Sequence, residues 1–146
     1  MTPIDRSRLP AVGPDPRFAF PVVQQATLPN GLRLWTVERQ GLPVITMLLL
    51  VPAGSAADPA DRPGLAAMTA DMLDEGSGDR SALDIEDAFA RIGSDLSTEI
   101  GPDATVLALT TLSRFTGRAL HLLADVASHP RLDAADFARV RDLRIT

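Results

Sequence analysis

The sequence predicts an α+β fold, with one mostly antiparallel sheet and paired helices packed on one face. Segments with strand character come in runs, and helical segments come in pairs, so the order is not that of an alternating doubly wound fold. A hydrophobic share of 45% in 146 residues suits one packed domain.

Residues 1–21 are predicted to form a proline-rich arm. Proline fixes φ and removes a backbone donor, so an extended arm is favoured, with Phe18 and Phe20 as candidate anchors; the prolines are Pro3, Pro10, Pro14, Pro16 and Pro21. Residues 22–146 are predicted to form the domain itself. Because its last helix meets Thr146 without a stop signal, we expect this domain to be incomplete at its C-terminal end.

The first strands are predicted from turn chemistry and apolar runs. Residues 24–28 and 32–38 flank Asn30-Gly31, which supplies the positive φ values of a tight hairpin turn. Residues 44–51 are almost unbroken in their apolar character, which favours a strand covered on both faces.

The first helix pair follows two loops. Helix 64–75 is predicted after Pro63, with apolar residues at helical spacing, and Gly76-Ser77-Gly78 is predicted to be a loop. Ser81 and Asp84 resemble a capping box for a second helix that ends at Gly93. Its inner face is predicted to carry Ile85, Phe89 and Ile92.

Two more strands and a second helix pair complete the chain. Residues 94–100 and 105–112 alternate as strands do. Ser113 is predicted to cap a helix through residue 128, and Asp133 is predicted to cap the last helix. The expected inward residues are Phe115, Ala119, Leu122 and Val126 in the former and Phe137 and Val140 in the latter.

Composition excludes several classes of function. The net charge of −5, with 14 scattered basic residues, opposes binding to nucleic acid. The absence of cysteine excludes disulfides and thiolate metal sites. The longest apolar run, of eight residues, is too short for a membrane helix, and the first twenty residues lack a signal-peptide core. We therefore expect a cytoplasmic chain with no membrane partner.

Three blocks of sequence carry a family resemblance: Leu-Pro-Asn-Gly-Leu at 28–32, Val-Pro-Ala-Gly-Ser at 51–55 and the Gly-Leu-Ala frame that begins at Gly64. In order and spacing they resemble the pitrilysin, insulinase and mitochondrial processing peptidase family of inverzincin metallopeptidases. The resemblance covers residues 22–146 and implies an N-terminal portion of such a domain. In that family the Gly-Leu-Ala frame is followed by H-x-x-E-H, whose histidines bind zinc and whose glutamate is the catalytic base.

The chain keeps this frame but not its chemistry. Ala67 stands at the position of the first histidine, Ala70 at that of the glutamate and Asp71 at that of the second histidine. Alanine offers neither a ligand nor a base, so only Asp71 could ligate a metal, and alone it suits hard, water-rich ions. The family's further glutamate ligand would fall at or beyond Thr146. We expect no catalytic residue and no metal site in this chain.

The resemblance implies a non-catalytic subunit or domain of a zinc peptidase assembly, which helps to form a chamber for peptide substrates. The implied partner is a homologous catalytic subunit or a second family domain, and zinc is expected only in that active partner. Two alternatives stay open: a metallopeptidase with an altered metal site that uses Asp71 with ligands outside the chain, and a purely structural scaffold subunit.

Other groups of candidate residues favour a structural role over a functional one. His121 and His129 are the only histidines, and two residues without a third ligand make a poor metal site. Ser113 and Ser128 lack the Gly-x-Ser-x-Gly elbow of a serine hydrolase. The acidic clusters 71–75 and 84–87 are predicted to be solvated helix faces.

Overall fold

The computed structural model of the protein describes residues 13–15 and 17–145. The chain divides into two compact units, of which the first ends at Leu42 and the second begins at Pro43. Seven strands and four helices occur in the described residues: β1 Val23–Thr27, β2 Arg33–Val37, β3 Val44–Val51, α1 Leu65–Asp71, β4 Gly76–Ser77, β5 Arg80–Ser81, α2 Ala82–Ala90, β6 Leu96–Ile100, β7 Thr105–Leu112, α3 Thr116–Ser128 and α4 Ala134–Ile145.

The first unit contains the predicted hairpin. Strands β1 and β2 pair antiparallel from Val23↔Val37 to Thr27↔Arg33. The turn works as the sequence predicts, because Gly31 adopts a φ of 87° and the Leu32 N–H donates to Asn30 Oδ1 at 3.1 Å. Most of the predicted arm, residues 1–12 and 16, lies outside the described residues, and its boundary at residue 21 stays a prediction.

The second unit is built on a three-stranded antiparallel sheet of order β3-β7-β6. Its register runs from Val44↔Leu112 to Val51↔Thr105 on one side and from Leu96↔Leu109 to Ile100↔Thr105 on the other. Side chains alternate between the two faces, and the face toward α2 and α3 holds the core. That core consists of Ile85, Phe89, Ile92, Leu107, Leu109, Ala119, Leu122, Leu123 and Val126. The α+β class with helices on one face is thereby confirmed.

Two features of the sheets differ from the sequence prediction. The hairpin forms a two-stranded sheet of its own. Strand β3 was expected to be covered on both faces, but Leu48 is 68% exposed and Leu50 is 63% exposed. Within the described residues β3 is an edge strand with helices on one face only, and an apolar run cannot distinguish that situation from full burial.

Helix α1 is shorter than predicted. It ends at Asp71, not at residue 75, because the chain turns after Met72 to place Gly76–Ser77 against Arg80–Ser81. The Gly76-Ser77-Gly78 segment is therefore half of a small hairpin rather than a plain loop. Strands of two residues show no periodicity, so the sequence gives no signal for them.

Helix α2 follows the prediction closely. The Asp84 N–H donates to Ser81 Oγ at 3.3 Å, and the Ser81 N–H donates to the Asp84 carboxylate at 2.9 Å, which completes the capping box. Gly93 adopts a φ of 63° just after the helix, as a C-terminal glycine should.

The second helix pair is confirmed with two corrections, while the cap of the last helix by Asp133 stays a prediction. Ser113 does not cap α3, because residues Ser113–Phe115 form a 3-10 turn ahead of it. Phe137 is 43% exposed, although it was expected to face inward with Val140, which is buried. Helix α4 also contacts the preceding segments through Arg139 and Arg144, and apolar spacing does not predict such contacts.

Candidate functional site

Helix α1 carries the three motif positions, and its start is fixed by Asp58. The Asp58 carboxylate accepts hydrogen bonds from the backbone N–H groups of Gly64 at 2.7 Å and of Ala66 at 2.8 Å. These bonds satisfy donors that a helix leaves free in its first turn. Gly64 itself adopts a φ of 88°, which favours glycine and lets the chain enter the helix after Pro63.

The three positions lie in different environments. Ala67 and Ala70 are buried, with 8% and 5% of their surface exposed, and they belong to the apolar interior of the second unit. Asp71 lies in the last turn of α1 and is exposed. Positions 67 and 70 therefore serve packing, and only position 71 presents a polar group.

Two acids of this region are ion-paired with α4. Asp71 Oδ2 accepts a hydrogen bond from Arg144 Nη1, and Glu75 Oε2 accepts one from Arg139 Nη2. The hydrogen bond that Arg139 donates to Glu75 also raises the pKa of Arg139. The cluster 71–75 is therefore not simply a solvated helix face, since these two pairs connect α1 and the turn after it to α4.

Asp74 differs from its neighbours because it is partly buried. Burial raises the pKa of its carboxyl group, and the nearby charges of Glu75, Glu86 and Asp71 act in the same direction, against one backbone hydrogen bond that lowers it. This segment thus holds a carboxylate in an environment that disfavours its charge.

The residues at the motif do not fit a zinc ion. Zinc sites in proteins use three or four nitrogen, sulfur or oxygen ligands, and Ala67 and Ala70 supply none. The remaining candidate, Asp71, has its carboxylate engaged by Arg144. No group of three or more His, Asp or Glu side chains in the described part of the chain is placed to hold a metal.

An apolar cavity of about 410 Å³ lies beside α1. Its wall includes Ala66 and Ala70 from α1, Ala53 from the loop after β3, Leu107 from β7 and Ala127 from α3. The cavity touches the position where the family has its catalytic glutamate, but here that position carries a methyl group.

A smaller cavity of about 290 Å³ lies between the β4-β5 hairpin and the C-terminal end of α3. Arg80 donates to Asp125 across it at 2.8 Å, and this hydrogen bond lowers the pKa of Asp125. Ser77 also lines it, and its hydroxyl is buried without a hydrogen-bond partner among the described residues.

The two histidines have different surroundings. His121 is exposed, with Nε2 at 3.7 Å from Asp125 Oδ2, while His129 follows the last residue of α3 and lines the smaller cavity. Ser113 lies in the 3-10 turn before α3, and Ser128 is the last residue of α3.

The open antiparallel sheet, the helices on one face and the frame around α1 define a peptidase-like α+β domain. Residues 35–145 match the family described as Insulinase (Peptidase family M16), and the chain belongs to this family. The resemblance inferred from three short blocks is thus confirmed.

Curated relatives include β subunits of the mitochondrial processing peptidase. The subunit from Mus musculus is 31% identical over 94% of this chain and 28% of its own length. The subunit from Saccharomyces cerevisiae is 29% identical over 86% of this chain and 27% of its own length. The chain thus spans little more than a quarter of these relatives.

Solved structures give the same answer. The peptidase M16 inactive domain from Pseudomonas fluorescens superposes with a TM-score of 0.78 at 31% identity, over 83% of this chain and 30% of that one. Pitrilysin superposes with a TM-score of 0.66 at 27% identity, over 77% of this chain and 12% of its own. A protease from Helicobacter pylori, at 22% identity and a TM-score of 0.78, shares the fold.

Within the described residues, no helix has the length and apolar character needed to cross a membrane.

Sequence reasoning found the frame of the site but missed what surrounds it. Arg139 and Arg144 gave no signal as partners of Glu75 and Asp71, because the pairs join residues 64 and 73 positions apart. The cavity was missed for a similar reason, since its walls come from distant segments.

Proposed function

We propose that this chain is a non-catalytic member of its family, which contributes structure to a zinc peptidase assembly and helps to form a chamber for peptide substrates. The observation that carries the proposal is the state of α1. Two motif positions are buried methyl groups, and the third is an aspartate held by an arginine. A frame kept for packing without ligands or a base suits assembly rather than hydrolysis.

The proposed partner is a homologous subunit or domain that retains H-x-x-E-H. The relatives in mouse and yeast are named as subunits, and one superposing structure is described as an inactive domain of this family. The outer face of β3 also offers exposed apolar side chains such as Leu48 and Leu50, which is common where proteins associate. The chain spans about a quarter of the length of these relatives. Its substrate and its partner are therefore proposed here and do not follow from its family.

The first test is metal content. Elemental analysis of the protein, purified without added metal, should find far less than one equivalent of zinc. The variant Arg144→Gln, which releases the Asp71 carboxylate, should also stay free of zinc, because one carboxylate is too few ligands. A family protein that retains H-x-x-E-H, purified in the same way, serves as the positive control and should contain about one equivalent of zinc.

One equivalent of zinc in the unaltered protein would overturn the proposal in favour of a peptidase with an altered metal site.

The second test separates a helper from a scaffold. Family proteins with H-x-x-E-H from the same genome are assayed for peptide hydrolysis with and without this chain. A gain in hydrolysis that persists in Asp71→Asn supports a helper role in which the motif positions take no part in catalysis. Stable complex formation without any gain in hydrolysis would instead support a purely structural scaffold role.

A further inference from the structure

Helix α4 contributes little to the apolar core. Val140 is its one buried residue, and among the described residues the core cluster on the sheet contains no side chain of α4. Leu143 and Ile145, near its C-terminal end, are exposed. Burial of apolar surface is the main force that packs one element on another. The attachment of α4 to the rest of the second unit therefore needs a further source of stability.

Two ion pairs between distant segments supply such a source. Arg139 donates from Nη2 to Glu75, and Arg144 donates from Nη1 to Asp71. The side chain of Glu75 is 18% exposed, so water and salt screen its pair less than a fully exposed one. The Asp71 and Arg144 side chains are about half exposed, which leaves their pair open to screening.

The acids beneath α4 repel one another. The charges of Glu75, Glu86 and Asp71 all act to raise the pKa of Asp74, in addition to its burial, so these four carboxyl groups lie close together. They come from α1, from the turn after it and from α2. The two arginines of α4 place positive charge beside this group. Removal of α4 would leave the repulsion without compensation.

From this arrangement we propose that α4 is a separable helix held to the second unit chiefly by charge, and that raised ionic strength releases it while the sheet, α2 and α3 stay folded. Release exposes the carboxylates of Asp71 and Glu75, so docking of α4 decides whether the altered motif helix ends in a neutralised or an anionic surface. Elements with few buried apolar contacts are those that open locally. The proposal does not rest on the non-catalytic role, because it uses the charges and the burial of α4 alone.

The test is hydrogen exchange of the full chain, followed by mass spectrometry of peptides from α3 and α4. Between about 0.1 M and about 1 M sodium chloride the Debye length falls from about 10 Å to about 3 Å. The amides of α4 should exchange at least about threefold faster at the higher salt, because a free helix of 12 residues is marginal in water. Those of α3 should change by less than about twofold.

A variant with both acids neutralised, Asp71→Asn with Glu75→Gln, should reproduce this effect at low salt. Its α4 amides should exchange at least about threefold faster than in the unaltered chain, and added salt should then change them by less than about twofold. Asp87→Asn is the matched control. It removes an exposed acid that pairs with Arg91 inside α2 at 4.0 Å, and it should leave α4 unaltered.

Arg144→Gln shows whether the pair itself is responsible. It should speed exchange of α4 in the unaltered chain, but in Asp71→Asn it should add less than about twofold, because the partner carboxylate is already gone. Equal effects in the two backgrounds would overturn the proposal.

The salt experiment needs no variant, so it decides the matter even if a variant does not fold. Equal acceleration of α3 and α4 by salt would mean that the unit opens as a whole and would overturn the proposal. So would an α4 that ignores both salt and the double neutralisation, or one that is already unprotected at low salt.

Discussion

At the scale of single residues, the segment after α1 shows how position decides the role of an acid. Asp71, Asp74 and Glu75 are close in sequence, yet the first and third pair with arginines of α4 while Asp74 is partly buried. Sequence reasoning grouped them as solvated acids, which is the usual state of such residues. Which of these acids is paired with an arginine depends on where α4 packs.

Asp74→Asn should stabilise the protein at neutral pH. Burial raises the pKa of Asp74 in the folded state, so the folded protein favours the protonated acid and loses stability as pH rises above about 4, where the unfolded chain ionises. Asparagine removes that loss while keeping a hydrogen-bond acceptor. The difference should vanish at about pH 3, below both pKa values.

Urea unfolding of the two proteins at both pH values measures the effect. Asp95→Asn, at an exposed position before β6, is the matched control and should change stability by less than about 0.5 kcal/mol. Equal stability of Asp74→Asn and the unaltered protein at neutral pH would contradict the assignment of burial as the main cause.

At the scale of elements, local signals predicted α2 well and α1 less well. Helix α2 is delimited by the capping box of Ser81 and Asp84 and by the glycine at position 93. These residues lie within a few positions of the helix ends, so the local sequence contains both the start and the stop signal. The start of α1 depends on Asp58, eight residues from Ala66, and its end depends on pairing between β4 and β5. Neither interaction is visible in a helical pattern.

The loop after β3 should tolerate no side chain at position 54. Gly54 has an extended φ that any residue can adopt, but a Cβ there would lie 2.4 Å from the Gly101 carbonyl oxygen and 2.5 Å from that of Pro102. These are backbone atoms that cannot move alone, so Gly54→Ala should cost about 2 kcal/mol or more.

Gly117→Ala is the control for this change. A Cβ at Gly117, in the first turn of α3, would meet nothing within 4 Å, so alanine should stabilise by about 0.5 kcal/mol or more. Thermal and urea unfolding compare the two variants. A Gly54→Ala protein as stable as Gly117→Ala would show that the 52–58 loop is not held against the 101–104 turn.

At the scale of the whole molecule, the three-stranded sheet of the second unit has one face covered by helices and one exposed face within the described residues. Met47 and Leu49 pack against the core, while Leu48 and Leu50 on the same strand are exposed. The strand thus alternates between two environments although its sequence does not alternate in polarity. This arrangement is what the proposed assembly role would use.

Leu48→Lys and Leu49→Lys test this asymmetry with adjacent residues. Leu48→Lys places a charge in solvent and should change the free energy of unfolding by less than about 0.5 kcal/mol. Leu49→Lys places a charge against the core and should cost about 3 kcal/mol or more. Urea unfolding provides both values. Similar losses in the two variants would mean that both faces of β3 are covered in this chain.

The sequence by itself determined the class of the fold, the hairpin turn at Asn30-Gly31, the cap of α2 and the three altered motif positions. Each of these depends on residue type and short spacing. Only the tertiary structure decided that Ala67 and Ala70 are buried, that Asp71 pairs with Arg144 and that an apolar cavity adjoins Ala70. Those facts depend on segments far apart in the chain, whose contacts are set by how the helices pack on the sheet.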